Sequence, residues 1–168
     1  QLGYYTVLYC PKGDNPAQKY VDEYIDGYWE DLKKLEIFGS KVDVVTSEFE
    51  NVPASTMTLL AQYCIASPGQ AALHTAQHRI REKSLAQDLG IKTPKFWHIV
   101  SSEDLIKAMA ELNGDGILKT CQFGYDGKGQ MRLSPNDDLM AGFASLKTND
   151  AILEEIILFH AEASFLVA

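Results

Sequence analysis

One segment in the second half of the chain restricts the possible folds more than any other. Residues 116–130 read GILKTCQFGYDGKGQ, an apolar strand that ends near Lys119, followed by a loop with Gly124, Gly127 and Gly129. A strand-like run follows the loop, so the segment is predicted to form two strands with a glycine-rich connection. This order excludes the Walker A motif and the dinucleotide-binding GxGxxG motif, because both of those open a helix.

The residue types of this segment favour phosphate binding. A lysine at the end of an apolar strand is costly unless its ammonium group meets an anion. Glycines let the backbone approach a ligand and present N–H groups to phosphate oxygens. Lys128 adds a second positive charge within the loop. A loop with several glycines is by itself more often a plain turn, but Lys119 before it favours the phosphate-binding interpretation.

The order of predicted elements divides the chain into an α/β part and a second, mixed part. Strands and helices alternate at first, which is typical of a parallel sheet. A mainly helical stretch then ends at Gly90, and Thr93-Pro94 interrupts the pattern, so domains are predicted at 1–92 and 93–168. Predicted strands cover 4–10, 23–27, 41–46, 96–100, 116–120, 129–133, 152–157 and 163–167, and predicted helices cover 28–38, 53–63, 71–90, 102–112 and 138–146.

Charge and composition limit the partners. Lys plus Arg is 15 and Asp plus Glu is 23, which gives a net charge of -8 and argues against a nucleic-acid partner. No apolar run approaches the length that crosses a bilayer, so no membrane partner is expected. Cys10, Cys64 and Cys121 are widely spaced without a CxxC pair, which predicts reduced thiols in a cytoplasmic protein and not a disulfide framework or zinc site.

The histidines predict no metal site. His74 and His78 lie four apart in a predicted helix, a spacing that two metal ligands can share. No third ligand is evident, so exposed helix histidines are the favoured interpretation. His98 and His160 have no partner by spacing and are expected to be structural.

Several motifs in order resemble the N5-carboxyaminoimidazole ribonucleotide synthase family of the ATP-grasp superfamily. The string GYDGKGQ at 124–130 is similar to its glycine-rich loop, and the Tyr-Asp pair distinguishes it from related loops such as that of biotin carboxylase. Matching segments are TSEFENVP at 46–53, SPGQAALHTAQHRIREK at 67–83, GIKTPKF at 90–96 and ILEEIILFHAEASFLVA at 152–168. The resemblance covers nearly the whole chain. It implies an α/β chain with an incomplete Rossmann-like pre-ATP-grasp domain, followed by the small α+β ATP-grasp subdomain.

The resemblance also implies roles for individual residues. Arg79 and Lys119 match positions that contact ATP phosphates, and Glu162 matches the residue that accepts hydrogen bonds from the ribose. The loop expected to close over the triphosphate is Gly124, Tyr125, Asp126, Gly127, Lys128, Gly129 and Gln130, and the adenine-lining segment is Glu154, Glu155, Ile156 and Ile157. Residues expected near the other substrates are Glu48, Asn51, Tyr125 and Asp126, and the catalytic set is Lys119, Tyr125, Asp126 and Lys128. From the sequence alone, Glu154 and Glu155 are either a solvated pair or include one inward-pointing carboxylate.

The implied activity is an ATP-dependent ligation in purine (IMP) biosynthesis. Bicarbonate attacks the γ-phosphate of ATP to give carboxyphosphate, and the amine of 5-aminoimidazole ribonucleotide then captures the carboxyl group. Magnesium bridges the phosphates, with its ligands expected after the position of Ala168. Family members are often homodimers. The alternatives are another ATP-grasp ligase, such as a formate-dependent glycinamide ribonucleotide transformylase, or a non-catalytic nucleotide-binding module.

The chain also departs from the family pattern. Gln1-Leu2-Gly3 is interpreted as the end of the first helix, so the first strand of the pre-ATP-grasp domain is expected to be missing, as is the C-terminal half of the ATP-grasp fold. The 168-residue chain alone is therefore predicted to be inactive. His78 stands where the family commonly has an acidic residue, which predicts a different orientation for Arg79.

Overall fold

The chain forms two compact units, residues 1–77 and residues 78–168. A computed structural model describes residues 3–13, 15–47, 49–124 and 129–163. Within these described ranges, no helix combines the length and the apolar character that crossing a bilayer requires.

The first unit has the alternating α/β order that the sequence predicted. Two parallel strand pairs form, β1 with β2 and β3 with β4. Their bounds are β1 Val7–Cys10, β2 Glu23–Asp26, β3 Val44–Val45 and β4 Ile65–Ala66, with helices α1 Leu32–Gly39, α2 Ala54–Leu60 and α3 Gln70–Ala76. A 3-10 helix at Pro16–Tyr20 and strand β4 were not predicted, because such short elements have too few residues to establish a periodicity.

An apolar core holds the first unit together. Leu35 of α1 and Met57 of α2 are almost fully buried. Tyr9 of β1 packs its ring 5.3 Å from that of Phe38, and its hydroxyl donates a hydrogen bond to the Tyr28 carbonyl at 2.7 Å. Burial, reinforced by nearby carboxylates, raises the pKa of Tyr9 to about 12. The polar groups of this core therefore serve packing, with each hydroxyl or amide satisfied close by.

The second unit is built on a four-stranded antiparallel sheet in the order β5-β8-β6-β7. Its strands are β5 Phe96–Ile99, β6 Gly116–Thr120, β7 Gln130–Leu133 and β8 Ala151–Glu155, and its helices are α4 Arg79–Asp88, α5 Ser102–Leu112 and α6 Leu139–Ser145. Strand β6 and helix α5 have the predicted bounds. The Ser101 side chain accepts a hydrogen bond from the Asp104 N–H at 3.2 Å, and this cap begins α5.

The two faces of this sheet differ in character. Side chains alternate along each strand, so Leu118 and Lys119 lie on opposite faces. Leu118 is paired with Leu153, and both are fully buried in the core that includes helix α5. Ile117 is paired with Glu154, which puts Glu154 on the same face as Lys119. One face therefore belongs to the hydrophobic core, and the other carries Lys119 and Glu154 beside the buried Ile152.

The stretch 71–90, predicted to be mainly helical, contains two helices. Helix α3 ends at Ala76 and α4 begins at Arg79, with His78 in an extended conformation between them. The Arg79 N–H donates a hydrogen bond to the Cys121 carbonyl at 3.1 Å, which ties the start of α4 to the end of β6. Helix α4 lies in the second unit, which begins at residue 78, whereas the sequence predicted a domain boundary at 92/93.

Candidate functional site

The polar face of the second sheet brings two lysines onto one carboxylate. The Lys119 ammonium donates a hydrogen bond to Oε2 of Glu154 at 3.0 Å. The Lys83 ammonium, from helix α4, lies 3.5 Å from the same oxygen. The anion that the sequence required for Lys119 is thus supplied within the chain by the neighbouring strand.

Burial makes this cluster unlike a surface ion pair. The side chain of Glu154 is 7% exposed, and those of Lys83 and Lys119 are 19% and 18% exposed. Among the described residues, the second carboxylate oxygen of Glu154, Oε1, is buried with no hydrogen-bond partner. A buried acceptor without a partner is costly, so it favours a ligand that donates a hydrogen bond there. Two cations on one carboxylate leave a net positive charge suited to an anionic ligand.

Lys83 is the member of this cluster that the sequence did not single out. For Arg81 and Lys83 the sequence is as consistent with a solvated basic face as with a functional role, whereas the resemblance favours a functional role for Arg79. Lys83 lies four residues after Arg79 on α4, and residues at that spacing share one side of a helix. This spacing was the available signal, but only the folded sheet reveals which side of α4 meets Glu154.

The remaining residues of the predicted adenine-lining segment lie at the end of β8. Glu154 is buried, which decides between the two interpretations left open by the sequence. The carboxylate of Glu155 instead accepts a hydrogen bond from the Lys95 N–H at 3.2 Å and so fixes the start of the neighbouring segment. Ile156 is half-buried and Ile157 is exposed beyond the strand end. Glu162 is exposed in an irregular segment.

The base of the predicted glycine loop is well defined. The Thr120 N–H donates a hydrogen bond to the Gly129 carbonyl at 2.8 Å, which closes the loop between β6 and β7. Gly129 has φ +70, and an added Cβ would meet Thr120 Oγ1 at 2.9 Å, so only glycine fits without strain. Gly124 precedes the tip of the loop and is half-buried, and Gln130 begins β7 and is exposed. The strand–loop–strand order predicted for this segment is confirmed.

A cleft of about 370 Å³ lies beside this loop base. Its lining residues in the described part of the chain are Thr120, Gln122, Phe123, Gly129, Lys147, Thr148 and Asp150. Predicted positions Glu48, Tyr125, Asp126, Gly127 and Lys128 lie outside the described residues. Asn51 belongs to the first unit, where its side-chain amide donates to the Glu50 carboxylate at 3.3 Å.

A second polar cluster lies at one edge of the same sheet. Nε2 of His78 is 3.0 Å from one carboxylate oxygen of Asp150, and Nε2 of His98 is 2.9 Å from the other. Burial raises the pKa of the Asp150 carboxyl, but hydrogen bonds with His98, Cys121 and His78 outweigh it and lower the pKa overall. Burial, with the hydrogen bond to Asp150, raises the pKa of Cys121 to about 12. All three cysteines are free thiols, as predicted.

One prediction about this cluster differs from the structure. His78 was expected on an exposed helix surface, but it is 8% exposed at the N-cap of α4. The absence of a metal site stays a prediction, although His78, His98, Cys121 and Asp150 bring one potential ligand atom each within 4.8 Å of one another. Sequence spacing missed this grouping because its members are separated by up to 72 residues.

Comparison with known proteins assigns a family to this geometry. A sequence profile described as the ATP-grasp domain matches residues 84–168, and one described as the ribonucleotide synthetase preATP-grasp domain matches residues 1–77. The chain therefore belongs to the ATP-grasp family. Its fold class, predicted as a pre-ATP-grasp domain followed by an ATP-grasp subdomain, is confirmed by these matches.

Curated relatives indicate which members of the ATP-grasp family the chain is similar to. N5-carboxyaminoimidazole ribonucleotide synthase from Brucella melitensis is 39% identical over 171 residues, which cover 100% of this chain and 47% of that protein. The Staphylococcus aureus (strain COL) protein of the same name is 34% identical over 167 residues, covering 99% of this chain and 45% of that protein. The predicted resemblance to this family of ATP-grasp ligases is thus confirmed. The chain spans about half the length of the curated relatives it matches.

A solved structure supports the same relationship. The crystal structure of N5-carboxyaminoimidazole synthetase from Staphylococcus aureus complexed with ADP superposes with a TM-score of 0.86 at 34% identity. The superposition covers 93% of this chain and 42% of that chain. The described fold is therefore that of the relatives over nearly the whole of this sequence.

Proposed function

We propose that this chain contributes to an ATP-dependent ligase that carboxylates 5-aminoimidazole ribonucleotide with bicarbonate. The product is N5-carboxyaminoimidazole ribonucleotide, with release of ADP and phosphate, in purine biosynthesis. The names of the curated relatives support the reaction, and the ADP complex of the Staphylococcus aureus enzyme supports a nucleotide ligand. The observation in this chain that carries the proposal is the buried Lys83–Glu154–Lys119 cluster.

The two lysines of the cluster would hold nucleotide phosphates. Both ammonium groups converge on a single oxygen of Glu154, so each keeps donor capacity for a further anion. Because these side chains are largely removed from water, a phosphate oxygen meeting them is stabilised more than it would be at the surface. Arg79, one turn before Lys83 on α4, adds a third cation on the same element.

Glu154 would have two tasks. Oε2 holds the lysines in place before the ligand binds, so the site is preorganised. Oε1 lacks a partner among the described residues and would accept a hydrogen bond from a donor on the ligand, such as an exocyclic amine or a hydroxyl group. The residues present thus fit a nucleotide with its phosphates near the lysines.

The glycine loop would exclude water. Its base is closed by the hydrogen bond from the Thr120 N–H to the Gly129 carbonyl. Residues 124–130 would cover the phosphates during the reaction, with Tyr125, Asp126 and Lys128 close to the reacting groups. ATP supplies the phosphoryl group that activates bicarbonate, and exclusion of water protects the activated carboxyl group from hydrolysis.

Further elements of the proposal rest on family resemblance. Magnesium bound with ATP would offset the negative charge of the phosphates. Glu48 and Asn51 would face the imidazole substrate, and Glu162 would accept hydrogen bonds from the ribose. The active protein would be a cytoplasmic homodimer.

The test is ADP release by the protein at the full length that its gene encodes, with bicarbonate and with or without 5-aminoimidazole ribonucleotide. We expect release to rise with the imidazole substrate in wild type and in a Lys107→Ala control, whose side chain is exposed on α5. We expect it to be lost in Lys119→Ala. Release that ignores the imidazole substrate would indicate a different ATP-grasp ligase, and no release would indicate a binding module.

A further inference from the structure

Four side chains with the donor atoms of a transition-metal site meet at one edge of the second sheet. They come from separate segments: His78 is the N-cap of α4, His98 lies in β5, Cys121 directly follows β6, and Asp150 directly precedes β8. One potential ligand atom from each lies within 4.8 Å of the other three. All four belong to the second unit, so the grouping depends on that unit alone.

The distances suit a tetrahedral ion. Zinc binds imidazole nitrogen, thiolate sulfur and carboxylate oxygen at about 2.0–2.3 Å, which puts ligand atoms about 3.3–3.7 Å apart in a tetrahedron. Both imidazole Nε2 atoms are already at 2.9–3.0 Å from the Asp150 carboxylate. The four potential ligand atoms lie within 4.8 Å of one another, so side-chain rotations would have to bring them to this tetrahedral spacing around one ion.

The competing interpretation is a metal-free hydrogen-bond network. In that network both imidazoles donate to Asp150, whose two oxygens accept one bond each. The Cys121 thiol also hydrogen-bonds with that carboxylate, and Nδ1 of His78 stays buried without a partner among the described residues. A site that combines two imidazoles, a carboxylate and a thiol is more typical of zinc than of a structural polar network.

We propose that His78, His98, Cys121 and Asp150 bind a zinc ion. On binding, Cys121 would release its thiol proton to solvent and coordinate as the thiolate, and the two imidazoles would coordinate as neutral ligands. Four protein ligands leave no open position, so the ion would be structural and not catalytic. This inference goes beyond the proposed function and does not depend on it.

The ion would link two segments that carry residues of the proposed nucleotide site. His78 immediately precedes Arg79, and Cys121 follows the strand that carries Lys119. The existing backbone bond between Arg79 and Cys121, 3.1 Å long, already joins these two segments. Zinc would add a second link between α4 and the sheet, so Lys83 would be held more firmly against Glu154.

The experiment measures metal binding by the full-length gene product after removal of metals. Zinc is titrated by calorimetry and the melting temperature is followed, with Co²⁺ added in a parallel sample as a spectroscopic probe. We expect one zinc ion per chain, a melting temperature that rises with zinc, and a sulfur-to-cobalt charge-transfer absorption. Cys121→Ser and His98→Ala should each weaken binding by about 10–100-fold or more.

Matched controls separate this site from adventitious binding. Cys64→Ser and His74→Ala change the same residue types in the first unit and should leave zinc binding unaltered. Absence of the charge-transfer absorption in wild type would overturn the proposal without any need for a variant. Zinc binding equal in Cys121→Ser, His98→Ala and both controls would also overturn it. The experiment measures zinc binding and not ADP release, so a negative result would not bear on the proposed ligase activity.

Discussion

Each unit contains a lysine–glutamate ion pair, and the two pairs differ in how deeply they are buried. In the first unit Lys41 lies 2.6 Å from Glu23, with side chains 43% and 30% exposed. In the second unit Lys119 lies 3.0 Å from Glu154, with side chains only 18% and 7% exposed. The shorter pair is the weaker one, because exposed pairs are screened by water and contribute about 0–1 kcal/mol.

The two units also differ in where their polar side chains lie. The first is built from short parallel strand pairs over an apolar core, and its described polar contacts are mostly capping or surface bonds. The second has an antiparallel sheet with one apolar face and one face where Lys83, Lys119 and Glu154 meet. We therefore expect substitutions of charged residues to affect the second unit far more than the first.

The largest expected effect is on turnover. Lys119→Ala removes a cation from the proposed phosphate site and should lower ADP release by about 100-fold or more. Lys41→Ala removes an equally charged but exposed residue of the first unit and should change release by less than about twofold. Steady-state kinetics of the full-length protein would measure both. Similar losses of ADP release in the two variants would contradict the proposed difference between the buried lysine and the exposed one.

The next effect is on core stability and should be similar in both units. Leu118→Ala and Leu35→Ala each remove a fully buried side chain and should cost about 2–5 kcal/mol of unfolding free energy. Urea denaturation followed by circular dichroism would measure the losses. Because Leu118 lies on the opposite face from Lys119, the folded Leu118→Ala protein should keep its affinity for nucleotide. A large loss of nucleotide affinity in the folded variant would contradict the proposal that one face packs the core while the other binds the nucleotide.

A smaller effect distinguishes the two ion pairs directly. Glu154→Gln keeps the side-chain shape but leaves two partly buried ammonium groups without a counter-ion, at a cost of about 2–3 kcal/mol. Glu23→Gln breaks an exposed pair and should cost less than about 1 kcal/mol. Chemical denaturation would measure the loss of unfolding free energy in both variants. Equal losses would show that burial does not decide how much each ion pair contributes to stability.

The smallest effect concerns the hydroxyl of Tyr9 and depends on pH. Tyr9→Phe removes its bond to the Tyr28 carbonyl and should cost about 1 kcal/mol near neutral pH. The pKa of Tyr9 is raised from 10.0 to about 12, so the folded state retains a proton that the unfolded state loses. The free energy of unfolding contributed by this group is therefore intact below about pH 10 and falls as pH rises toward about 12.

That decline should be smaller in Tyr9→Phe than in wild type. Tyr20→Phe is the matched control, because Tyr20 is 70% exposed and should follow wild type. Denaturation curves collected between neutral and strongly alkaline pH would measure the difference. An identical alkaline decline in Tyr9→Phe and wild type would show that Tyr9 does not carry it.

Local patterns account for the parts of the fold that the sequence predicted well. Helix α5 begins at a Ser101 cap and ends at Asn113 in the left-handed conformation, and both signals are readable within the segment. Strand β6 is bounded by Gly116 at one end and the glycine loop after it. The break at His78 has no such signal, because its extended conformation depends on contacts with Cys121 and Asp150.

The site was only partly predictable for the same reason. The requirement that Lys119 meet an anion follows from its position after an apolar run, and it was anticipated. The identity of that anion depends on strand pairing between β6 and β8, since Lys119 and Glu154 are 35 residues apart. The convergence of Lys83 depends on which side of α4 faces the sheet. Contacts between distant segments thus decide the details that periodicity cannot supply.

We propose that the full-length protein carries out nucleotide-dependent carboxylation of an imidazole ribonucleotide. The most direct measurement uses isotopically labelled bicarbonate with the full-length gene product, ATP and 5-aminoimidazole ribonucleotide, and quantifies both labelled product and ADP. We expect labelled carboxyl groups and ADP to form in equal amounts, and we expect Lys119→Ala to form neither. ADP formed without labelled product, or product unaffected by Lys119→Ala, would contradict the proposal.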